Sequence, residues 1–391
     1  MKRRAVRRYI VLLTTLALWL APGCTRKVPD ALRSVRLKKN NPIAPFFNPP
    51  AEFAGKYGDF RSPLKFYNGD TVRSRKDWEK RRNEILTRWH QKMGEWPAVN
   101  TSQKLEFLDT VRMEGYTRYH VAFYWIPGEK TDGYLLFPDG KAPKPAILTV
   151  FYEPETAAGI GGKPGRDFAL QLVKEGFVTL SLGTREASLR QEFALYYPHI
   201  SDARVQPLSM LGYAAANAWE VLAKTSGVDS TRIGIVGHSF GGKWAMFASC
   251  LYRKFACAVW SDPGIAFGED RPSVNYWEPW YLGYHPKPWR ERGIITAQNP
   301  ARGLYPELRK EGYDLTELHA LMAPRPFLVS GGSEDPPERW IALNHTIRIN
   351  QFLGYENRVA MTNRPGHAPT AESNSQMCRF FVHFLKPKKN N

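Results

Sequence analysis

The decapeptide Ile233-Gly234-Ile235-Val236-Gly237-His238-Ser239-Phe240-Gly241-Gly242 holds a serine flanked at two residues either side by glycine. An apolar, strand-like run enters this Gly-x-Ser-x-Gly segment, and a helical pattern begins near Gly241. A serine on a strained strand-to-helix turn needs such neighbours, because side chains at the glycine positions would clash. The turn also lifts the hydroxyl above the sheet and aims a helix N-terminus at it. The chemistry this permits is nucleophilic attack by Ser239. A glycine turn in a nucleotide-binding sheet is the competing reading, but no phosphate-loop or dinucleotide pattern accompanies it.

A serine hydroxyl needs a base, and the base needs an orienting acid; in the fold that such a strand–turn–helix serine suggests, they follow in the chain order Ser, acid, His. The histidines downstream are His285, His319, His345, His367 and His383. Of these, His345 and His383 fall within helical segments, and His319 precedes a strand. His367, in Asn363-Arg364-Pro365-Gly366-His367-Ala368-Pro369, occupies a turn after an apolar strand and is the expected base; His285 is the runner-up. For the acid, Phe327-Leu328-Val329-Ser330 leads into Gly331-Gly332-Ser333-Glu334-Asp335-Pro336. Asp335 is the first candidate and Glu334 the second. Asp262, in Trp260-Ser261-Asp262-Pro263, is the third, with holding the histidine or the following stretch as its other possible role.

An oxyanion needs two fixed donors. The Phe240 amide is one candidate; the other is the amide of Tyr152 or Glu153, in the loop after the strand 145–151. Glu153 and Glu155 otherwise read as surface carboxylates, and Lys243 as a solvated lysine. The segment Asn275-Tyr276-Trp277-Glu278-Pro279-Trp280-Tyr281 fits sugar stacking and ordinary core packing equally well.

These residues must be positioned by alternating elements. Strands are expected at 145–151, 177–182, 232–236, 257–261, 326–330 and 358–362. Helices are expected at 165–175, 207–224, 241–252, 338–353 and 372–385. Such alternation predicts an α/β fold: a mostly parallel sheet with helices on both faces and its site beyond the carboxyl ends of the strands. Residues 262–316 form an aromatic-rich insertion. Ahead of the sheet, a helix at 75–92 precedes a hairpin at 105–113 and 117–126. The chain divides into a leader (1–24), a tether and helical lead-in (25–104) and the main domain (105–391). The lead-in is expected to pack on that domain through Trp78 and Trp89.

The formal charge is +18, but ten of these charges lie in residues 1–40 and three in Lys386, Lys388 and Lys389. A body of +5 without a nucleic-acid motif points away from DNA or RNA. Lys2, Arg3, Arg4, Arg7 and Arg8, followed by the apolar stretch Tyr9–Ala21 and Ala21-Pro22-Gly23-Cys24, read as an export leader. Cys24 after glycine resembles a lipoprotein cleavage site and is a candidate for lipidation, which would be the one membrane attachment. Cys250, Cys257 and Cys378 read as buried thiols.

Three segments, Gly237-His238-Ser239-Phe240-Gly241-Gly242, Ala323-Pro324-Arg325-Pro326 and Pro365-Gly366-His367, resemble the α/β-hydrolase superfamily over residues 105–391. Within it the chain looks most like dienelactone hydrolases and acetyl xylan esterases. Glucuronoyl esterases are more distantly similar: Lys243 matches them, whereas Phe240 stands where they carry arginine. The resemblance implies carboxylic ester hydrolysis through an acyl-enzyme, without metal or cofactor. A decorated polysaccharide, acetylated or esterified at a uronic acid, is the expected substrate class. The alternatives are a peptidase related to prolyl oligopeptidases and a surface polysaccharide-binding protein without catalysis.

Overall fold

The computed structural model describes residues 41–163, 165–185 and 194–386. The leader with Cys24, and Lys388 and Lys389, lie outside the described residues.

In chain order the strands are β1 (Glu106–Met113), β2 (Tyr116–Ile126), β3 (Glu129–Pro138), β4 (Lys144–Phe151), β5 (Val178–Gly183), β6 (Tyr197–His199), β7 (Asp202–Val205), β8 (Val228–His238), β9 (Cys257–Ser261), β10 (Phe327–Gly331) and β11 (Val359–Asn363). Nine of them form one sheet in the order β1-β2-β3-β5-β4-β8-β9-β10-β11, and β6 and β7 pair separately. From β5 to β11 neighbours run parallel. Every residue of β4, β5, β9 and β10 is buried, as apolar runs must be when helices cover both faces of a sheet. The antiparallel meander β1-β2-β3 joins through β3 and β5. Strand β3 was not among the expected strands, because its start, Glu129-Lys130-Thr131-Asp132, is polar and solvent-facing.

The helices are α1 (Arg75–Met93), α2 (Pro154–Ala158), α3 (Phe168–Lys174), α4 (Pro207–Ala223), α5 (Phe240–Leu251), α6 (Leu304–Lys310), α7 (Thr316–Ala320), α8 (Trp340–Phe352) and α9 (Ala371–Leu385). No described helix is long and apolar enough to cross a membrane. Cys250 and Cys257 are buried and unpaired, and Cys378 is half-buried and unpaired. Burial pushes the Cys250 thiol up to about 12, which leaves it inert.

The lead-in packs on the sheet domain. Ser74 caps α1 by accepting from the Asp77 amide, and Trp78, Arg81, Ile85, Trp89 and Met93 bury one face. Trp78 joins a cluster with Ala320, Ala323, Ile349 and Leu353. The Trp89 ring meets Tyr313 edge-on at 5.4 Å. Arg81 pairs with Glu317 at 2.8 Å with both side chains buried. Ahead of α1, Phe46 and Phe47 cover the β11 side of the core, and Phe47 meets Phe384 edge-on.

Under the sheet, His319 of α7 is fully buried, with Trp260 and Phe327 rings at 5.4 and 6.4 Å. Burial, and then His345, push its imidazole down to about 3. The unfolded chain therefore binds a proton near pH 6.5 that the folded chain refuses, so stability falls as pH drops through this window. Asp314 and Asp335, both raised to about 6 by burial, act in the opposite sense below pH 6. His319→Phe isolates the histidine. Its unfolding free energy should fall less than the wild type's between pH 7.5 and 5.0, by about 2 kcal/mol. Equal losses in urea titrations of the two proteins would refute the assignment.

Candidate active site

Strand β8 runs into α5 through Ser239, whose backbone adopts φ 57° and ψ −115°, a strained conformation for a residue with a side chain. The glycines explain how the turn closes. A Cβ on Gly237 would stand 2.1 Å from the Gly241 carbonyl oxygen, and one on Gly241 would stand 2.0 Å from the Val150 oxygen. The Ser239 amide donates to the Ser261 carbonyl at 2.8 Å, tying the elbow to the end of β9.

His367 follows β11. Its Nε2 lies 2.8 Å from Ser239 Oγ, and its Nδ1 lies 2.7 Å from Asp262 Oδ2. The acid beside the histidine is therefore Asp262, at the end of β9, and not Asp335 after β10. The reason lies in the way the two loops interlock. Asp262 Oδ1 accepts from the amides of Gly332, Glu334 and Asp335 at 2.7, 3.2 and 2.9 Å. Asp335 is turned the other way: its carboxylate accepts from the Gly264 and Ile265 amides at 2.8 and 2.6 Å. Each loop thus holds the other's carboxylate. Glu334, the second candidate, accepts from Ser273 Oγ at 2.6 Å. His285, the runner-up base, faces the Gly283 carbonyl.

Burial, and next Asp262, push the Asp335 carboxyl up to about 6. The fully buried Asp262 has a φ of 52°, so both it and Ser239 sit in strained backbone. The absent side chain of Gly332 makes the arrangement possible, since a Cβ there would stand 2.6 Å from Asp262 Oδ2. Sequence reasoning passed over this Gly331-Gly332 pair, which marks a backbone wrapped around a carboxylate.

Beneath the His367 ring lies the His238 ring, with centroids 4.6 Å apart. Burial, and then His367, hold the His238 imidazole well below its ordinary range, so it stays neutral. Its Nδ1 meets Ser261 Oγ at 3.1 Å.

The Phe240 amide opens α5, where the first turn leaves amides without intrahelical acceptors. The Tyr152 ring stacks on the Phe240 ring at 4.6 Å, which brings the loop after β4 beside the elbow. Glu153 is the N-cap of α2 and pairs with Lys163, and Glu155 pairs with Arg185. Lys243 is not solvated. It is buried, donates to the Pro263 carbonyl at 2.5 Å and lies over the Tyr276 and Tyr281 rings. Burial lowers its ammonium to about 8, against the pull of Asp335, Glu334 and Asp262. Tyr276, Trp277 and Tyr281 are packed into the core, so most of the aromatic stretch is interior. Among the described residues no group of three His, Cys, Asp or Glu side chains is placed to hold a metal ion.

No protein-family model matches the sequence, and neither does any curated protein. Solved structures do match. A glucuronoyl esterase from Solibacter usitatus superposes with a TM-score of 0.65 at 19% identity, over 83% of this chain and 97% of that one. A glucuronoyl esterase from Teredinibacter turnerae gives 0.60 at 18% identity, over 90% and 94%. A Bacteroides fragilis protein proposed to be an acetyl xylan esterase gives 0.54 at 20%, over 77% and 79%. The chain has the α/β-hydrolase fold. The Solibacter and Teredinibacter enzymes superpose with higher TM-scores than the Bacteroides protein. In the α/β-hydrolase frame, Ser239, Asp262 and His367 all stand at the carboxyl ends of parallel strands.

Proposed function

We propose that this chain is an exported serine carboxylic ester hydrolase acting on a carbohydrate ester through an acyl-enzyme. The observation that carries the chemistry is the unbroken chain Ser239 Oγ, His367 Nε2, His367 Nδ1, Asp262 Oδ2, with links of 2.8 and 2.7 Å. His367 takes the Ser239 proton as Oγ attacks the ester carbonyl. Asp262, held by three amides, keeps the imidazole turned and balances the imidazolium that forms. The Phe240 amide and an amide of the Tyr152–Glu153 loop receive the oxyanion. His367 then hands its proton to the leaving alcohol, and water repeats the sequence to free the acid.

The substrate class rests on the walls and the neighbours. Rings run outward from Phe240 through Tyr281, Trp280 and Trp289 to Tyr196, with successive centroids 6.0 to 6.4 Å apart. The last two rings are half-buried and stack on each other, so this aromatic row reaches the surface where a ring-bearing substrate would meet it. The structural neighbours named as glucuronoyl esterases favour a uronoyl ester, and the acetyl xylan esterase an acetylated sugar. The leader sequence supports export, and Cys24 is the candidate for a lipid.

A fluorophosphonate probe followed by peptide mapping tests the chemistry: the adduct is expected on Ser239. Hydrolysis of methyl glucuronate, acetylated xylan and p-nitrophenyl acetate then ranks the acyl groups. An unlabelled protein inactive on all three would remove the esterase reading and leave a binding protein.

A further inference from the structure

From residue 363 to residue 370, the loop that carries His367, Arg364 is the one buried residue. Its guanidinium reaches six acceptors. Nε donates to the Ala368 carbonyl at 2.9 Å, and Nη2 to the His367 carbonyl at 2.7 Å and Ser261 Oγ at 3.3 Å. Nη1 donates to the Ser330 carbonyl at 2.8 Å, Ser330 Oγ at 3.1 Å and the Gly331 carbonyl at 3.2 Å. These acceptors belong to three places: the end of β9, the end of β10 and the His367 loop itself.

We propose that Arg364 is a positioning residue, which rivets the His367 backbone to the ends of β9 and β10 and so sets the imidazole between Ser239 and Asp262. The proposal rests on the hydrolase reading above. Its acceptors are neutral, so burial of the cation is not offset by a direct ion pair. Loop residues 365, 366 and 368 are exposed. The same guanidinium also fixes Ser261 Oγ, which holds the His238 ring under His367. A planar fork with five donors is what serves three backbones at once; a lysine ammonium, with three donors on one point, reaches fewer.

Arg364→Lys and Arg364→Ala test this on full-length protein with p-nitrophenyl acetate. Since a misplacement of about 1 Å costs roughly 10²-fold, kcat should fall about 100-fold in both, with KM within about threefold. Added guanidinium should restore at least a tenfold part of the loss in Arg364→Ala, and ammonium should not. The low-field proton resonance of His367 Nδ1 against Asp262 should weaken or vanish in Arg364→Lys. A folded Arg364→Lys protein with kcat within threefold of wild type overturns the proposal. So does a joint loss of melting temperature and kcat that guanidinium does not reverse, since that marks a purely structural arginine. If the wild type hydrolyses no ester and takes no fluorophosphonate, the hydrolase reading has failed. The resonance then still decides positioning: loss in Arg364→Lys supports it, and persistence overturns it.

Discussion

Ser239→Ala is expected to lower kcat for ester hydrolysis by on the order of 10⁶-fold while leaving KM near the wild-type value. The hydroxyl forms the covalent bond, so its removal leaves only oxyanion stabilisation and binding to speed direct attack by water. His367→Ala should cost about as much, because without a base at 2.8 Å the hydroxyl keeps its proton. The two losses are not independent. The double variant should be no slower than either single one, since each already disables the same step. Steady-state kinetics on p-nitrophenyl acetate for the three proteins check this. A Ser239→Ala protein with several per cent of wild-type activity would place the nucleophile elsewhere, and additive losses would mean that the two side chains work apart.

Asp262→Asn and Asp335→Asn should fail in different ways. At Asp262 the amide would present either its NH₂ or its oxygen to His367 Nδ1, and would no longer balance the imidazolium. A fall of about 10⁴ in kcat is expected. Asp335 does not touch His367; it accepts from two amides within the core. Asparagine there forces a donor towards a donor, so the expected cost is stability, about 1–3 kcal/mol, with kcat within tenfold of wild type. Urea melts and kinetics read on the same samples separate the two effects. A large loss of kcat in Asp335→Asn beside a mild one in Asp262→Asn would return the orienting role to the loop after β10.

The contrast between these two aspartates shows what the sequence could and could not say. Ser239 and the β8–α5 turn were legible because their rule is local: glycines two residues away, a strand before and a helix after. His367 was legible because a histidine in a loop after an apolar strand had few rivals. The acid is a longer-range matter. Both Asp262 and Asp335 follow fully buried parallel strands that pair directly, so chain order alone does not separate them. What separates them is which way each carboxylate turns, and that depends on amides supplied by the other loop. Lys243 was misread for a related reason: its burial under Tyr276 and Tyr281 arises from the insertion folding back over α5. Strand β3 was missed because half of it faces water, whereas the fully buried β4 and β5 announced themselves as unbroken apolar runs.

The lead-in has a consequence in time. Phe46 and Phe47 cover the core beside Phe384, and Trp78 lies against Ile349 and Leu353. These partners come roughly 270–340 residues later in the chain, which at about 5–20 residues per second takes on the order of 15–70 s to synthesise. For that interval the first rings made lack these late partners. The sheet domain is completed by a segment that waits for it, and any factor that shields apolar rings during this delay will govern how much of the chain reaches its folded state.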